Sequence, residues 1–204
     1  SAMKFLCLLL VLVAPTLAHG FDTPAKQAYL LDSKSNTLLY SKAEATPMVP
    51  SSMSKLMTLY ALFSDIKAGK LALDDSFPVS EKAWRKGGSK MFVEVNKRVA
   101  VEDLIRGIAV QSGNDACIVV AEGLAGSEEA FAKRLNLLAP KIGLQDSHFV
   151  NATGWPDENH YMTARDIATL THHLIKDFPE LYAEQNLELL QMYPEGEMVV
   201  TADE

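Results

Sequence analysis

The sequence predicts an α/β (α+β) domain in which a cluster of helices packs on an antiparallel sheet, and three observations predict it. Two short strand-like runs, residues 27–31 and 37–40, flank the turn residues Ser33-Lys34-Ser35-Asn36, which is the pattern of an antiparallel hairpin. Helical segments then follow one another from residue 55 to residue 176, separated by glycine-bearing turns. The first of these is so apolar that it must be buried on most sides. The composition agrees: 204 residues with 48% hydrophobic and 22% charged side chains suit a globular domain and argue against disorder.

At the N-terminus, Lys4 precedes an apolar run over residues 5–13, followed by Ala14-Pro15-Thr16-Leu17-Ala18-His19-Gly20. A basic residue, a short apolar core and small residues two apart describe a secretory signal peptide cut after Gly20. The run is too short for a membrane span, and Cys7 sits too early to accept a lipid. Ser1-Ala2 ahead of Met3 has the form of a cloning scar. The expected organisation is therefore a scar and signal peptide over 1–20, a domain over 21–183 that works outside the cytoplasm in the periplasm or at the cell surface, and an acidic tail of little pattern over 184–204. In that tail, Val199-Val200-Thr201 could begin a strand.

Within the domain, Pro47 and Pro50 bracket a loop, and Ser51 stands where an N-cap would start the first helix. Leu56, Met57, Leu59, Tyr60, Leu62 and Phe63 make that helix apolar, and Gly69 ends it. Residues 70–98 read as irregular, with Gly87-Gly88-Ser89 as a flexible tip. A helix over 101–110 opens with Glu102-Asp103, placing negative charge at the positive end of its dipole. Ser112-Gly113 breaks it, and Asn114 or Asp115 caps the next helix, which runs through Ile118, Val119, Val120 and Leu124 to Gly126. Ser127-Glu128-Glu129 opens another through Phe131, Leu135 and Leu138. After a loop over 143–161, Thr163-Ala164-Arg165-Asp166 is a capping box with Asp in place of Glu, starting a helix to Lys176.

A net charge of −7 gives no basic stripe for nucleic acid. Of the two cysteines, Cys7 leaves with the signal peptide and Cys117 is a small core residue, so disulfides do not hold this fold. His172-His173 are adjacent and point apart on a helix, which does not suit chelation of one ion, and they read as surface or half-buried groups. His148 and His160 fall in a loop. Met48, Met53, Met57 and Met91 are expected to pack around the first helix.

The chemistry lies in two short motifs. In Ser52-Met53-Ser54-Lys55, serine and lysine stand three apart and share one helix face, so they can touch. A serine hydroxyl is a weak nucleophile and needs a base, and a lysine serves only when burial or a helix N-terminus lowers its pKa. Lys55 has both, and the backbone N–H of Ser52 is placed to stabilise an oxyanion. A single Ser-x-x-Lys is weak by itself, since about one arises by composition in a chain of this length. Ser112-Gly113-Asn114 adds a second hydroxyl for proton return and an amide for a substrate backbone, although alone it is an ordinary helix-to-helix turn.

Together with Pro50-Ser-Ser-Met-Ser-Lys55, Gly87-Gly-Ser-Lys-Met-Phe92, the stretch from Val101 to Cys117, and Gly154-Trp-Pro-Asp-Glu-Asn-His-Tyr-Met-Thr-Ala-Arg-Asp166, these motifs resemble low-molecular-mass penicillin-binding proteins, the serine-type D-alanyl-D-alanine carboxypeptidases. The resemblance covers residues 23–183 and implies the penicillin-recognising transpeptidase and beta-lactamase-like fold. It implies that Ser52 forms an acyl-enzyme with the penultimate D-alanine of peptidoglycan stem peptides ending in D-Ala-D-Ala. Lys55 is then the base, Ser112 returns the proton, and Gly113 and Asn114 belong to the substrate-binding turn. Gly87-Gly88-Ser89 borders the site and influences deacylation. Beta-lactams acylate the same serine, and no cofactor or metal is implied.

One departure stands out. The family's third motif, a Lys-Thr-Gly or Lys-Ser-Gly strand that receives the substrate carboxylate, is absent from the 204 residues, as is any membrane anchor. A C-terminally truncated copy lacking the later strands is therefore expected. Three neighbouring readings share the same residues: a D,D-endopeptidase, a beta-lactamase (for which no Glu-x-x-Leu-Asn motif is found), and an inactive muropeptide-binding remnant.

Overall fold

The structure, a computed structural model, describes residues 22–184. Strands β1 (Ala28–Asp32) and β2 (Thr37–Lys42) pair antiparallel, with Ala28 opposite Lys42 and Asp32 opposite Thr37, and a bulge between Leu30 and Leu31 shifts the register. The predicted hairpin is present, each strand displaced or extended by one or two residues. The Asp32 carboxylate fixes its turn by accepting from the N–H groups of Lys34 and Ser35.

A 3-10 turn (Ser51–Ser54) leads into helix α1 (Lys55–Lys67). Every residue from Met57 to Phe63 is buried, so α1 has no solvent face in its middle. It is enclosed by α3 (Val101–Gln111), α4 (Asn114–Ala125), α5 (Glu128–Leu138) and α6 (Ala164–Asp177). Burial of each large side chain here is worth about 1.5–3 kcal/mol, which makes α1 and the equally buried start of α4 the centre of the core. The α6 helix is amphipathic and presents Ile167, Leu170 and Leu174 to that core, while its other side lies against β1. Phe178 then packs edge-on to Tyr60 and Phe63 of α1, ahead of α7 (Pro179–Glu184). A bidentate ion pair from Arg134 on α5 to Asp65 on α1, at 2.7 and 2.8 Å, fixes the far end of α1.

Three expectations are corrected. Residues 70–98 are not merely irregular: β3 (Ser76–Pro78) pairs with β4 (Arg98–Ala100), and helix α2 (Glu81–Arg85) lies between them, capped by Ser80. Ser51 does not cap the first helix; its backbone is left-handed (φ 49°), and neither the 3-10 turn nor α1 has a side-chain cap. Neither Asn114 nor Asp115 caps α4, whose N-cap is Gly113. Asp115 instead accepts from the backbone N–H groups of Met91 and Val93, at 3.0 and 3.1 Å, and so anchors the preceding loop. Thr163 does cap α6, accepting from Asp166 N–H, but the Asp166 carboxylate turns away to the N–H groups of Gln145 and Asp146 and the Ser147 hydroxyl.

Met53 and Met57 are buried at α1 as expected, and Met48 and Met91 are partly buried. Met91 lies over α3, where Gly107 leaves it room: a Cβ there would come within 2.4 Å of its sulfur. His172 and His173 are half-buried. Cys117 is buried, and burial pushes its thiol up to about 12, which suits a core role. Residues 1–21, with the signal-peptide reading, and 185–204, with the expected strand start at Val199, lie outside the described residues. No described helix is long and apolar enough to cross a membrane.

Candidate active site

The left-handed Ser51 turns the chain out of the Pro47–Pro50 loop and sets Ser52 in the 3-10 turn, partly exposed, one turn ahead of Lys55. Lys55 opens α1 and is 1% exposed, a rare setting for an ammonium group. Its Nζ lies 2.8 Å from Ser52 Oγ and 2.8 Å from the Thr153 carbonyl oxygen. No carboxylate pairs with it among the described residues. Burial holds the Lys55 pKa below the ordinary lysine value, and the charge of nearby Lys86 adds to that lowering. A lysine in this setting can donate to Thr153 and, when neutral, accept the Ser52 proton.

Thr153 belongs to a tight loop against the turn that carries Ser52. Asn151 Oδ1 accepts from the N–H groups of Thr153 and Gly154, the Ala152 carbonyl accepts from Thr58 Oγ1 on α1, and buried Glu128 accepts from Ala152 N–H. Lys82 pairs with Glu128 at 2.9 Å. Gly154 has φ +79°, and a Cβ on it would meet the Ser51 carbonyl oxygen at 1.7 Å, so only glycine fits.

Ser112-Gly113-Asn114 forms the left-handed corner between α3 and α4, with Ser112 at φ 53°. Gly113 is close-packed: a Cβ would lie 3.1 Å from the Gly107 carbonyl and 3.2 Å from Met91 N. The Asn114 side chain donates to the Gly87 carbonyl at 2.9 Å, and its backbone N–H to the Ser89 carbonyl at 2.8 Å. In this structure Asn114 therefore holds the Gly87-Gly88-Ser89 loop. Helix α4, which Asn114 opens, packs directly against α1, which Lys55 opens, so the two motifs stand on neighbouring helices. The half-exposed Trp155 ring closes the gap, 3.3 Å from where a Cβ on Gly88 would stand, with Lys86 Nζ over the ring at 4.0 Å.

Three neighbours of the pair carry no signal in the sequence, and a fourth carries one only as part of a longer stretch. Thr153 acts through its backbone, Glu128 sits in the first turn of α5 where dipole matching already explains it, and Lys86 looks like any surface lysine. His160, a loop residue within the Gly154–Asp166 stretch, is buried, and its Nε2 is 2.7 Å from Ser54 Oγ. No group of three or more metal-ligating side chains exists among the described residues.

Lys55, buried and with no carboxylate partner among the described residues, thus stands beside Ser52 at the mouth of an apolar helix, and the Ser-Gly-Asn corner opens the helix α4 that packs against α1. The sequence profile of the D-alanyl-D-alanine carboxypeptidase family matches residues 14–195, and the chain belongs to that family. It is 38% identical over 152 residues to a D-alanyl-D-alanine carboxypeptidase of Bacillus subtilis, covering 74% of this chain and 39% of the relative. It is 35% identical over 189 residues to one from Escherichia coli, covering 90% and 47%. The crystal structure of a D-alanyl-D-alanine carboxypeptidase from Francisella tularensis superposes with a TM-score of 0.79 at 35% identity, covering 89% of this chain and 42% of that one. A Listeria monocytogenes penicillin-binding protein, solved in its ampicillin-bound form, superposes with a TM-score of 0.68 at 25% identity over 78% of this chain and 65% of that one. The chain thus spans less than half the length of these curated relatives.

Proposed function

We propose that this chain carries the acylation machinery of a serine D-alanyl-D-alanine carboxypeptidase that removes the terminal D-alanine from peptidoglycan stem peptides outside the cytoplasm. The observation that carries the reading is the buried Lys55 amine 2.8 Å from Ser52 Oγ, with no carboxylate among the described residues to hold its proton. Neutral Lys55 takes the Ser52 proton as Oγ attacks the carbonyl between the two D-alanines. The tetrahedral intermediate collapses, the C–N bond breaks, and the departing D-alanine amine receives a proton through Ser112. Water then hydrolyses the ester and restores Ser52. Asn114, by holding the Gly87–Ser89 loop, and Gly113, by letting the corner pack closely, shape the substrate side. A beta-lactam acylates Ser52 by the same first step, its ring nitrogen remaining tethered after the amide bond opens.

Intact mass after incubation with benzylpenicillin tests this. The wild-type chain is expected to gain one penicillin and Ser52→Ala none; a folded wild-type chain that gains no mass sinks the reading. A D,D-endopeptidase of Escherichia coli is 28% identical over 159 residues and supports a second substrate for the same Ser52 chemistry. Cleavage of cross-linked muropeptide dimers without release of free D-alanine would favour it.

A further inference from the structure

We propose that His160 is a positioning residue for the Ser52–Lys55 pair, acting through the hydroxyl of Ser54; this rests on the reading of Ser52 as the acylated serine.

The turn that presents Ser52 has no local capping group to hold it, since neither the 3-10 turn nor α1 has a side-chain cap. Its one buried side-chain anchor among the described contacts comes from 106 residues away, where His160 Nε2 lies 2.7 Å from Ser54 Oγ. Both residues are 1% exposed. The ring's other nitrogen accepts the Val150 N–H at 3.1 Å, so Nδ1 carries no proton. The neutral ring therefore has its proton on Nε2 and donates it to Ser54 Oγ. The Phe149 ring stands edge-on to the imidazole at 5.6 Å and keeps water from it.

Ser54 lies between the two groups whose alignment matters. It precedes Lys55 directly and follows Ser52 by two. The same loop grips the pair elsewhere: the Thr153 carbonyl takes Lys55 Nζ, and Gly154 lies against the Ser51 carbonyl. His160 thus closes a clamp whose jaws are residues 152–154 on one side and Ser54 on the other. Loss of the Ser54 bond frees the turn to rotate Ser52 away from Lys55 while the rest of the helix stays packed. The charged and titratable groups facing His160 are Asp157 and His148 from the loop and Glu128 from α5.

The test separates this role from plain packing by using two isosteres in the full chain. Gln places an amide nitrogen where Nε2 stands and keeps the donor to Ser54. Asn places an oxygen where Nδ1 stands and keeps only the Val150 acceptor. Two readouts are taken: the rate of acylation by benzylpenicillin, and the Lys55 titration followed by NMR with isotope-labelled lysine, which needs no acylation. His160→Asn and Ser54→Ala are each expected to slow acylation about tenfold, the loss of one buried hydrogen bond. Both are expected to move the Lys55 titration towards the free-lysine value, and the double variant to do no worse than either single. His160→Gln is expected to stay within about threefold of wild type, with Lys55 unmoved. A Lys55 titration unchanged in His160→Asn and Ser54→Ala overturns the inference whether or not the chain is acylated. Equal damage from Gln and Asn overturns it as well, since it would mark a space-filling role. A wild-type chain that is never acylated, with the Lys55 shifts present, counts against the carboxypeptidase reading alone.

Discussion

Lys55 and His160 illustrate one physical rule with two outcomes. Both are buried, and burial disfavours the charged form of each. For Lys55 the proton is held less firmly than on a free lysine. For His160 the result is a neutral ring whose pKa falls from 6.5 to about 4. The unfolded chain binds this proton more tightly than the folded one between those values, so stability is full above about pH 6.5 and is lost as pH falls towards 4. The size is on the order of 3 kcal/mol once the lower value is reached. Urea titrations of wild type and His160→Gln at pH 7 and pH 4.5 check it: the wild type is expected to lose more stability than the variant. Parallel losses in the two proteins would show that other groups govern the acid limb.

At the scale of elements, the site is where a loop meets a helix entrance. The loop over 148–161 is held by Asn136, which exchanges two hydrogen bonds with Phe149, and by bridges pairing His148 with Tyr161 and Met48 with Met162. Gly154 is the point at which that loop presses on the turn that carries Ser52. Gly154→Ala must push its methyl into the Ser51 carbonyl and also hold alanine at φ +79°. A loss of roughly 2–4 kcal/mol is expected, with acylation falling further than the melting temperature suggests because the turn carrying Ser52 is what must move. Thermal melts and penicillin labelling on the same preparation check this, and an alanine variant labelled at the wild-type rate would show that the turn does not depend on the contact.

For the whole molecule, stability resides in the helices. Among the described residues β1 pairs only with β2, and Leu38 and Leu39 of β2 stand 48% and 60% exposed. A two-stranded sheet is marginal by itself, whereas the middle of α1 and the first two turns of α4 are buried on all sides. Native-state hydrogen exchange is expected to show α1 and α4 amides exchanging only through global unfolding, and the β1–β2 hairpin through local opening several kcal/mol easier. Hairpin amides as protected as those of α1 would contradict this.

The sequence by itself determined the order of helices, the apolar character of α1, and the adjacency of Ser52 and Lys55, because these rest on local periodicity and on i, i+3 spacing. It also carried the motifs that place the chain in its family. Capping was legible where a hydroxyl meets its own helix, as at Thr163 and Ser127, but not at Asn114 and Asp115, whose side chains serve another segment, nor at Ser51, whose backbone is left-handed. The short strands and helix between residues 76 and 100 escaped notice because segments of three to five residues carry too little periodicity. Only the tertiary structure decided what surrounds Lys55: a carbonyl from Thr153, the charge of Lys86, and the His160–Ser54 bond. Those partners lie far along the chain, and burial and hydrogen-bond geometry exist only once the loop has folded back onto the helix entrance.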